Sequence, residues 1–365
     1  MWEDQTEMTI VNRMLASVPA DIDKREGSII YDASMPAAIE FMLLYASLDY
    51  FLQNTFGDTA EREYLIQIAK ERGLSPYDAT YAVGKGTFTP ADLDIPIGSR
   101  FSYDDVNYVV TEKTAAGEYR LQCETAGVVG NKPAGAIVPI DYIAGLKTAT
   151  FAGVIVPGED EEDTEAFRAR YLASFDNQAY GGNIADYREK VNAIDGVGGV
   201  KVYPVWNGGG TVKLVFMTSE FKPPEPDFVA EVQTLIDPTQ NQGMGIGIAP
   251  IGHTVTVAGA TDSAIAIGLN VSFDAGSFDD HRAAIEKVID DYFTELNSKW
   301  QSTQRVSAEA FENNGIVVRI SQIESRILDL EGVTDIQHTS LNGQEENLTL
   351  GVDELAVRGE ITDGG

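Results

Sequence analysis

The chain has 365 residues, 43% hydrophobic and 23% charged, which supports two to four folded domains rather than one small core. Its 57 acidic against 26 basic residues give a net charge of -31, so nucleic acid and anionic membrane are poor partners, while solubility or docking of basic proteins is favoured. The single cysteine, Cys123, rules out an intrachain disulfide framework and a cysteine-based metal knuckle.

The opening segment MWEDQTEMTI is acidic and lacks a basic region followed by an apolar core, so no secretory signal is expected. Apolar tracts such as Phe41 to Ala46 fall short of the roughly 20 residues that span a bilayer. The chain is therefore expected to stay in the cytoplasm unless it leaves within something larger. Residues 1–82 read as a helical region. Thr9 is placed as a cap for a short helix through Leu15, and the polar stretch DIDKREGSIIYDA reads as a loop. From Ala33 to Thr55, Met35, Ile39, Met42, Ala46 and Tyr50 follow a helical spacing. Leu43, Leu44 and Leu48 widen the stripe, which predicts a helix covered on more than one side. Asp58 and Glu61 suggest a capping box for a helix ending at Gly73.

Residues 83–147 change to short extended runs broken by glycine and proline, the pattern of a small β domain. Cys123 alternates there with Leu121, as a packed side chain would. Residues 148–260 read as a first α+β module that includes two central helices. In one helix, with Asp163 or Thr164 near its cap, Phe167, Tyr171 and Phe175 share a face while Arg168 and Arg170 point elsewhere. The adjacent Gly181 and Gly182 suggest a joint. Asn183 and Asp186 form a capping box for the second helix, whose buried face is Ile184, Tyr187, Val191 and Ile194, with Gly196 as its stop. Val200, Val202 and Val205 then open a strand, NGGG turns it, and Val212, Leu214 and Phe216 alternate along the next. Residues 261–365 form a second α+β module, with a long helix capped by Ser277 and Asp280 over a mixed sheet.

An internal echo links the two modules. Ile184, Tyr187, Val191, Ile194, Gly196 and Val197 recur as Ile320, Ile323, Ile327, Leu330, Gly332 and Val333 at a constant offset. Helix, strand, turn and strand repeated suggest two ferredoxin-like α+β halves.

Chemistry is harder to find. His253, His281 and His338 have no metal-ligand spacing, EDEED at Glu159 to Asp163 lacks calcium-loop periodicity, and GMGIG does not lead into a helix. Carboxylate pairs that would hydrolyse sugars carry little information in so acidic a chain. No catalytic, cofactor or metal site is assigned. A wall-polymer hydrolase and a free-standing sugar- or peptide-binding module are the competing readings.

The ordered combination of motifs resembles the baseplate J-like family, the wedge proteins of contractile phage tails and tail-like particles. It runs from REGSIIYDAS (Arg25 to Ser34) and DTAEREYLIQIAKERGL (Asp58 to Leu74) to IPIGSRF (Ile95 to Phe101) and TAGVVGNKPAGAI (Thr125 to Ile137). EDEEDTEAFRARY (Glu159 to Tyr171) and the stretch from Tyr180 to Phe216 complete it. The acidic EDEED departs from the small-residue lead usual in the family. The resemblance implies a non-enzymatic wedge component in a sixfold ring around the spike hub, rearranging when the tail fires. Implied partners are further copies, other wedge proteins, the hub and the sheath initiator, with no nucleic acid, cofactor or membrane insertion. Arg168, Arg170, Gly181, Gly182, Asn183, Tyr187, Gly196, Val197, Ile323, Ile327, Gly332 and Val333 are the candidate structural or interface positions.

Overall fold

A computed structural model describes residues 2–176, 180–306 and 310–364. It divides into two compact units, Met1–Asp78 with Glu161–Asn177, and Ala79–Asp160 with Gln178–Gly365.

The first unit is helical. Helix α1 (Glu7–Ala16) is capped by Thr6, whose hydroxyl accepts the Thr9 N–H at 3.2 Å, so Thr9 donates to the cap instead of supplying it. Helix α2 (Ile29–Gln53) starts behind Ser28, inside the stretch expected to be a loop. Ile10, Val11 and Leu15 of α1 pack on Ala38, Met35, Met42 and Tyr45 of α2. That is one stripe of α2, not the several sides its width suggested: Ile39, Leu43, Leu44, Leu48 and Phe51 remain exposed. In length and mean hydropathy the helix would suffice to cross a bilayer, because its charges are spaced out and contiguous apolar tracts understate it.

Helix α3 (Arg62–Lys70) has Glu61 at its N-cap with no side-chain cap bond. The Glu61 N–H is taken by Asn54 Oδ1 at 2.8 Å, so the expected Asp58–Glu61 box is replaced by a side chain from the end of α2. Gly73, at φ +74°, closes α3 as expected, with Leu74 N–H returning to the Ala69 carbonyl. Helix α4 (Thr164–Asp176) is capped by Asp163, which accepts the Glu165 and Ala166 N–H groups. Its Phe167 and Tyr171 bury against Ala60, Leu65 and Ala69. This helix therefore belongs with α3, not with the α+β module to which it was assigned.

The second unit begins with a β domain. Strands β1 (Val83–Thr89), β2 (Arg100–Tyr103), β3 (Val106–Ala115), β4 (Glu118–Cys123), β5 (Gly135–Ala136), β6 (Val138–Pro139) and β7 (Thr148–Val156) form one sheet in the order β5-β7-β1-β4-β3-β2-β6. β5 and β6 lie at opposite ends of that order yet only Ile137 separates them in the chain. The sheet must therefore curl until its ends meet, which removes exposed edges. Phe88, Phe101, Tyr108, Tyr119, Leu121, Cys123 and Phe151 fill it. β7 is part of this sheet, so residues 148–156 belong to the β domain and not to the following module.

In the central module, α5 (Ile184–Asn192) and α6 (Pro226–Ile236) cover a sheet of β8 (Val197–Pro204), β9 (Thr211–Thr218) and β10 (Thr254–Gly259), ordered β10-β9-β8. Val200, Val202, Val212, Leu214 and Phe216 meet Tyr187, Val191, Phe228 and Val232 in the core. Val205 is not in the strand: it follows Pro204 at φ +57° and is exposed. The C-terminal module holds β11 (Thr261–Phe273), α7 (Phe278–Ser298), β12 (Gln304–Val306), β13 (Phe311–Asn313), β14 (Val317–Val318), α8 (Ile320–Leu328), β15 (Val333–Leu341), β16 (Leu348–Thr349) and β17 (Glu354–Asp363). Both halves of the Ser277–Asp280 capping box form, and α7 lies over the mixed sheet β15-β11-β17.

The echo holds locally. α5 and α8 have 9 residues each, Gly196 and Gly332 follow at φ +85° and +88°, and Val197 and Val333 open the next strands. A side chain at such φ is strained, which is why glycine stands at both. There the likeness ends. β8 pairs directly with β9, whereas β11 lies between β15 and β17. The hairpin is not repeated, and neither module forms the four-stranded sheet of a ferredoxin-like unit: among the described residues the main sheet of each has three strands, and β12-β13 and β14-β16 pair separately in the C-terminal module.

Candidate functional site

The candidate positions do not converge on one site. Arg168 turns inward within the first unit: its Nη1 donates to the Gly57 carbonyl at 2.6 Å and its Nη2 to that of Ala60 at 2.8 Å. Arg170 forms a two-point pair with Glu162, donates to the Ser75 carbonyl and lies 4.0 Å over the Tyr77 ring. Asn183 caps α5 by accepting the Asp186 N–H at 2.7 Å, and Asp186 reaches one residue further back than expected, to the Gly182 N–H at 2.9 Å. Gly181 and Gly182 stand within the second unit, at φ +59° and +85°. The Tyr187 hydroxyl lies 2.9 Å from His253 Nδ1, and burial pushes its phenol up. The Gly196 N–H donates to Glu159, and Val197 is buried at the start of β8. Ile323 and Ile327 are core residues of the C-terminal module, with Gly332 and Val333 at the turn that follows.

A denser constellation joins the central and C-terminal modules. β8 is an edge strand, and exposed edges invite unwanted pairing. Here glutamine side chains cover it. Gln304 accepts the Val202 N–H and donates to the Val202 carbonyl, both at 3.0 Å, as a neighbouring strand would. Gln301 Oε1 accepts the Val200 N–H at 2.6 Å, and Arg188 donates to the Gln304 side chain and carbonyl. Beneath them Lys201 is fully buried, its Nζ donating to the carbonyls of Val352 at 2.6 Å and Asn314 at 3.1 Å. It sits 4.5 Å from the centre of the Trp300 ring, and Trp300 Nε1 donates to the same Val352 carbonyl. Tyr203 donates to Asp353, which also pairs with Lys213.

Lys201, Gln301, Gln304 and Asp353 were not singled out from the sequence. The one available signal was TVKLVFMT, apolar on both faces: Val215 and Met217 pack with Trp300 and Leu355 on the side away from α5 and α6.

Burial lowers the Lys201 ammonium to about 8, opposed by Asp353 and reinforced by Arg188. The unfolded chain then binds more protons between that value and the ordinary lysine range, so the stability contributed at Lys201 rises with pH through this window. Wild-type stability relative to Lys201→Met is expected to rise by about 2 kcal/mol between about pH 7.5 and about pH 10. Urea unfolding at both pH values measures it, and a flat difference would refute the sign.

The second feature is the bare side of α2. Ile29 is 91%, Leu44 53% and Phe51 70% exposed. Patches of this kind mark contact surfaces. Among the described residues no group of His, Cys, Asp or Glu is arranged to hold a metal ion.

Residues 85–158 match the baseplate J-like protein barrel domain, 179–259 the baseplate J-like central domain and 265–363 the baseplate J-like protein C-terminal domain. The first match coincides with the closed sheet of β1 to β7. The chain is 38% identical to the protein YqbT of Bacillus subtilis (strain 168), and 37% identical to the phage-like element PBSX protein XkdT of the same strain. Each alignment covers 99% of this chain and 98% of the relative. It is 25% identical to the baseplate protein gp47 of Escherichia phage Mu, over 58% of this chain and 61% of that one. Three matched domains in order, with near full-length relatives, place the chain in the baseplate J-like family.

Proposed function

We propose that this chain is a structural component of a baseplate wedge, in a contractile tail or a headless tail-like particle, and that it works by contact without catalysis. Further copies of itself form a sixfold ring with it around the spike hub, other wedge proteins and the sheath initiator are its neighbours, and the ring rearranges on contraction. Assembly takes place in the bacterial cytoplasm, and the finished particle carries the chain in the baseplate at the distal end of the tail. The observation that carries this reading is the exposed apolar side of α2, a surface suited to helices of a neighbouring wedge protein. A protein partner suits it better than a bilayer. Glu40 lies near the middle of α2, and an acidic residue at the bilayer centre costs about 2.5–3.5 kcal/mol on insertion scales.

The test replaces Leu44 and Phe51 by Asp. Both are exposed, so the chain should fold with unchanged circular dichroism. Removing two apolar anchors from a contact is expected to weaken association about a hundredfold or more. Particles from a host lacking the native copy should then sediment without this chain. Normal incorporation of the double variant would defeat the reading.

A further inference from the structure

In a chain with a net charge of -31, one cleft gathers cations. It has a volume of about 730 Å³ and lies in the C-terminal module between α7, the paired strands β12 and β13 and the start of α8. Lys299, Arg305, Arg319 and Arg326 line it, against two acids, Glu295 and Glu312. Glu295 is already committed, accepting from both Lys299 and Arg326 at 2.7 and 2.6 Å. Arg305 stands across the ladder from Glu312, and neither it nor Arg319 is within ion-pair distance of a carboxylate among the described residues. Arg326 stacks 4.9 Å from the Tyr292 ring, and its Nε is buried without a hydrogen-bond partner.

We propose that this cleft receives a short acidic segment of a neighbouring polypeptide, its carboxylates meeting Arg305 and Arg319. Guanidinium groups suit carboxylates because their forked donors match two oxygens. The wall also offers the amides of Asn314 and Gln322, which can pair with a peptide backbone. Glu295 and Glu312 oppose a dense phosphate polyanion, and the charge of the whole chain repels nucleic acid at long range. An acidic segment faces the same far field but brings fewer charges and can place them between the two acids. The cleft also addresses a physical problem of any ring of identical acidic subunits, since it lets one acidic chain touch another without facing like charge. The proposal rests on the assembly reading only for the segment's source.

The test is fluorescence anisotropy with a labelled peptide of alternating Glu and Ser, titrated with the full chain at low ionic strength. Saturable binding that weakens with salt is expected. Arg305→Glu and Arg319→Glu, both at exposed positions, are each expected to weaken it about tenfold or more. Lys287→Glu on the outer face of α7 makes the same charge change away from the cleft and should alter binding less than about twofold. Circular dichroism checks that all three fold. No saturable binding, or equal loss in Lys287→Glu, would overturn the proposal. So would an oligothymidylate that binds as tightly and competes. These outcomes concern the peptide alone and leave the particle-incorporation test of α2 standing.

Discussion

Trp300→Ala is expected to destabilise the second unit by about 3–5 kcal/mol, the usual cost of removing a buried aromatic side chain. The ring is fully buried among Val215, Met217, Ala260 and Leu355, so its loss opens a void shared by the central and C-terminal modules. Two further contacts go with it, the Nε1 bond to the Val352 carbonyl and the aromatic face over which Lys201 is held. Lys201 would then sit charged beside a cavity, so water should enter and the junction loosen. Calorimetry should show one broad transition separating into two as the modules uncouple. Trp300→Phe keeps most of the volume and should cost less than half as much. A loss below about 1 kcal/mol for the alanine variant would show that the ring is not what joins the modules.

Arg168→Met is expected to cost the first unit about 3–5 kcal/mol, since each of two charge-assisted bonds contributes about 1.5–3 kcal/mol. The side chain is 13% exposed, and its fork holds the turn between α2 and α3 through the carbonyls of Gly57 and Ala60. Methionine fills similar space and leaves both carbonyls without their donor. The turn cannot easily re-form around α4, because Gly57 lies so close to the Tyr171 ring that a Cβ would stand 2.2 Å from it. Amide exchange across residues 57–69 and 164–171 should accelerate in step with a lower urea midpoint. Arg168→Lys keeps the charge but not the fork, and should fall between the two. An unchanged midpoint for Arg168→Met would mean the two carbonyls do not depend on it.

What could be read from the sequence was what depends on near neighbours along the chain. The Asn183 cap, the Ser277–Asp280 box and the glycines at 196 and 332 are written within four residues, and each appears as expected. Arg168 and Lys201 were opaque for a common reason. Their acceptors are backbone carbonyls of Gly57, Ala60, Asn314 and Val352, separated by 108 to 151 residues, and a carbonyl leaves no mark of residue type. The width of the α2 stripe was legible, but periodicity shows which side is apolar, not whether anything lies on it. β7 was misassigned because TATFAGVIV has no clean alternation to tie it to β1, 60 or so residues upstream. The echo located a helix, a glycine and a strand, and could not foresee β11 coming between the two strands expected to pair.

The first unit is assembled from two pieces of chain, with residues 79–160 falling between them. On the ribosome, α3 emerges with Leu65 and Ala69 uncovered, and their partners Phe167 and Tyr171 are translated only after the whole β domain has been made. The β domain, whose strands are all contiguous, can close while its host is still half built. Until Phe167 and Tyr171 follow the β domain out of the ribosome, the apolar face of α3 therefore has none of its α4 partners to cover it.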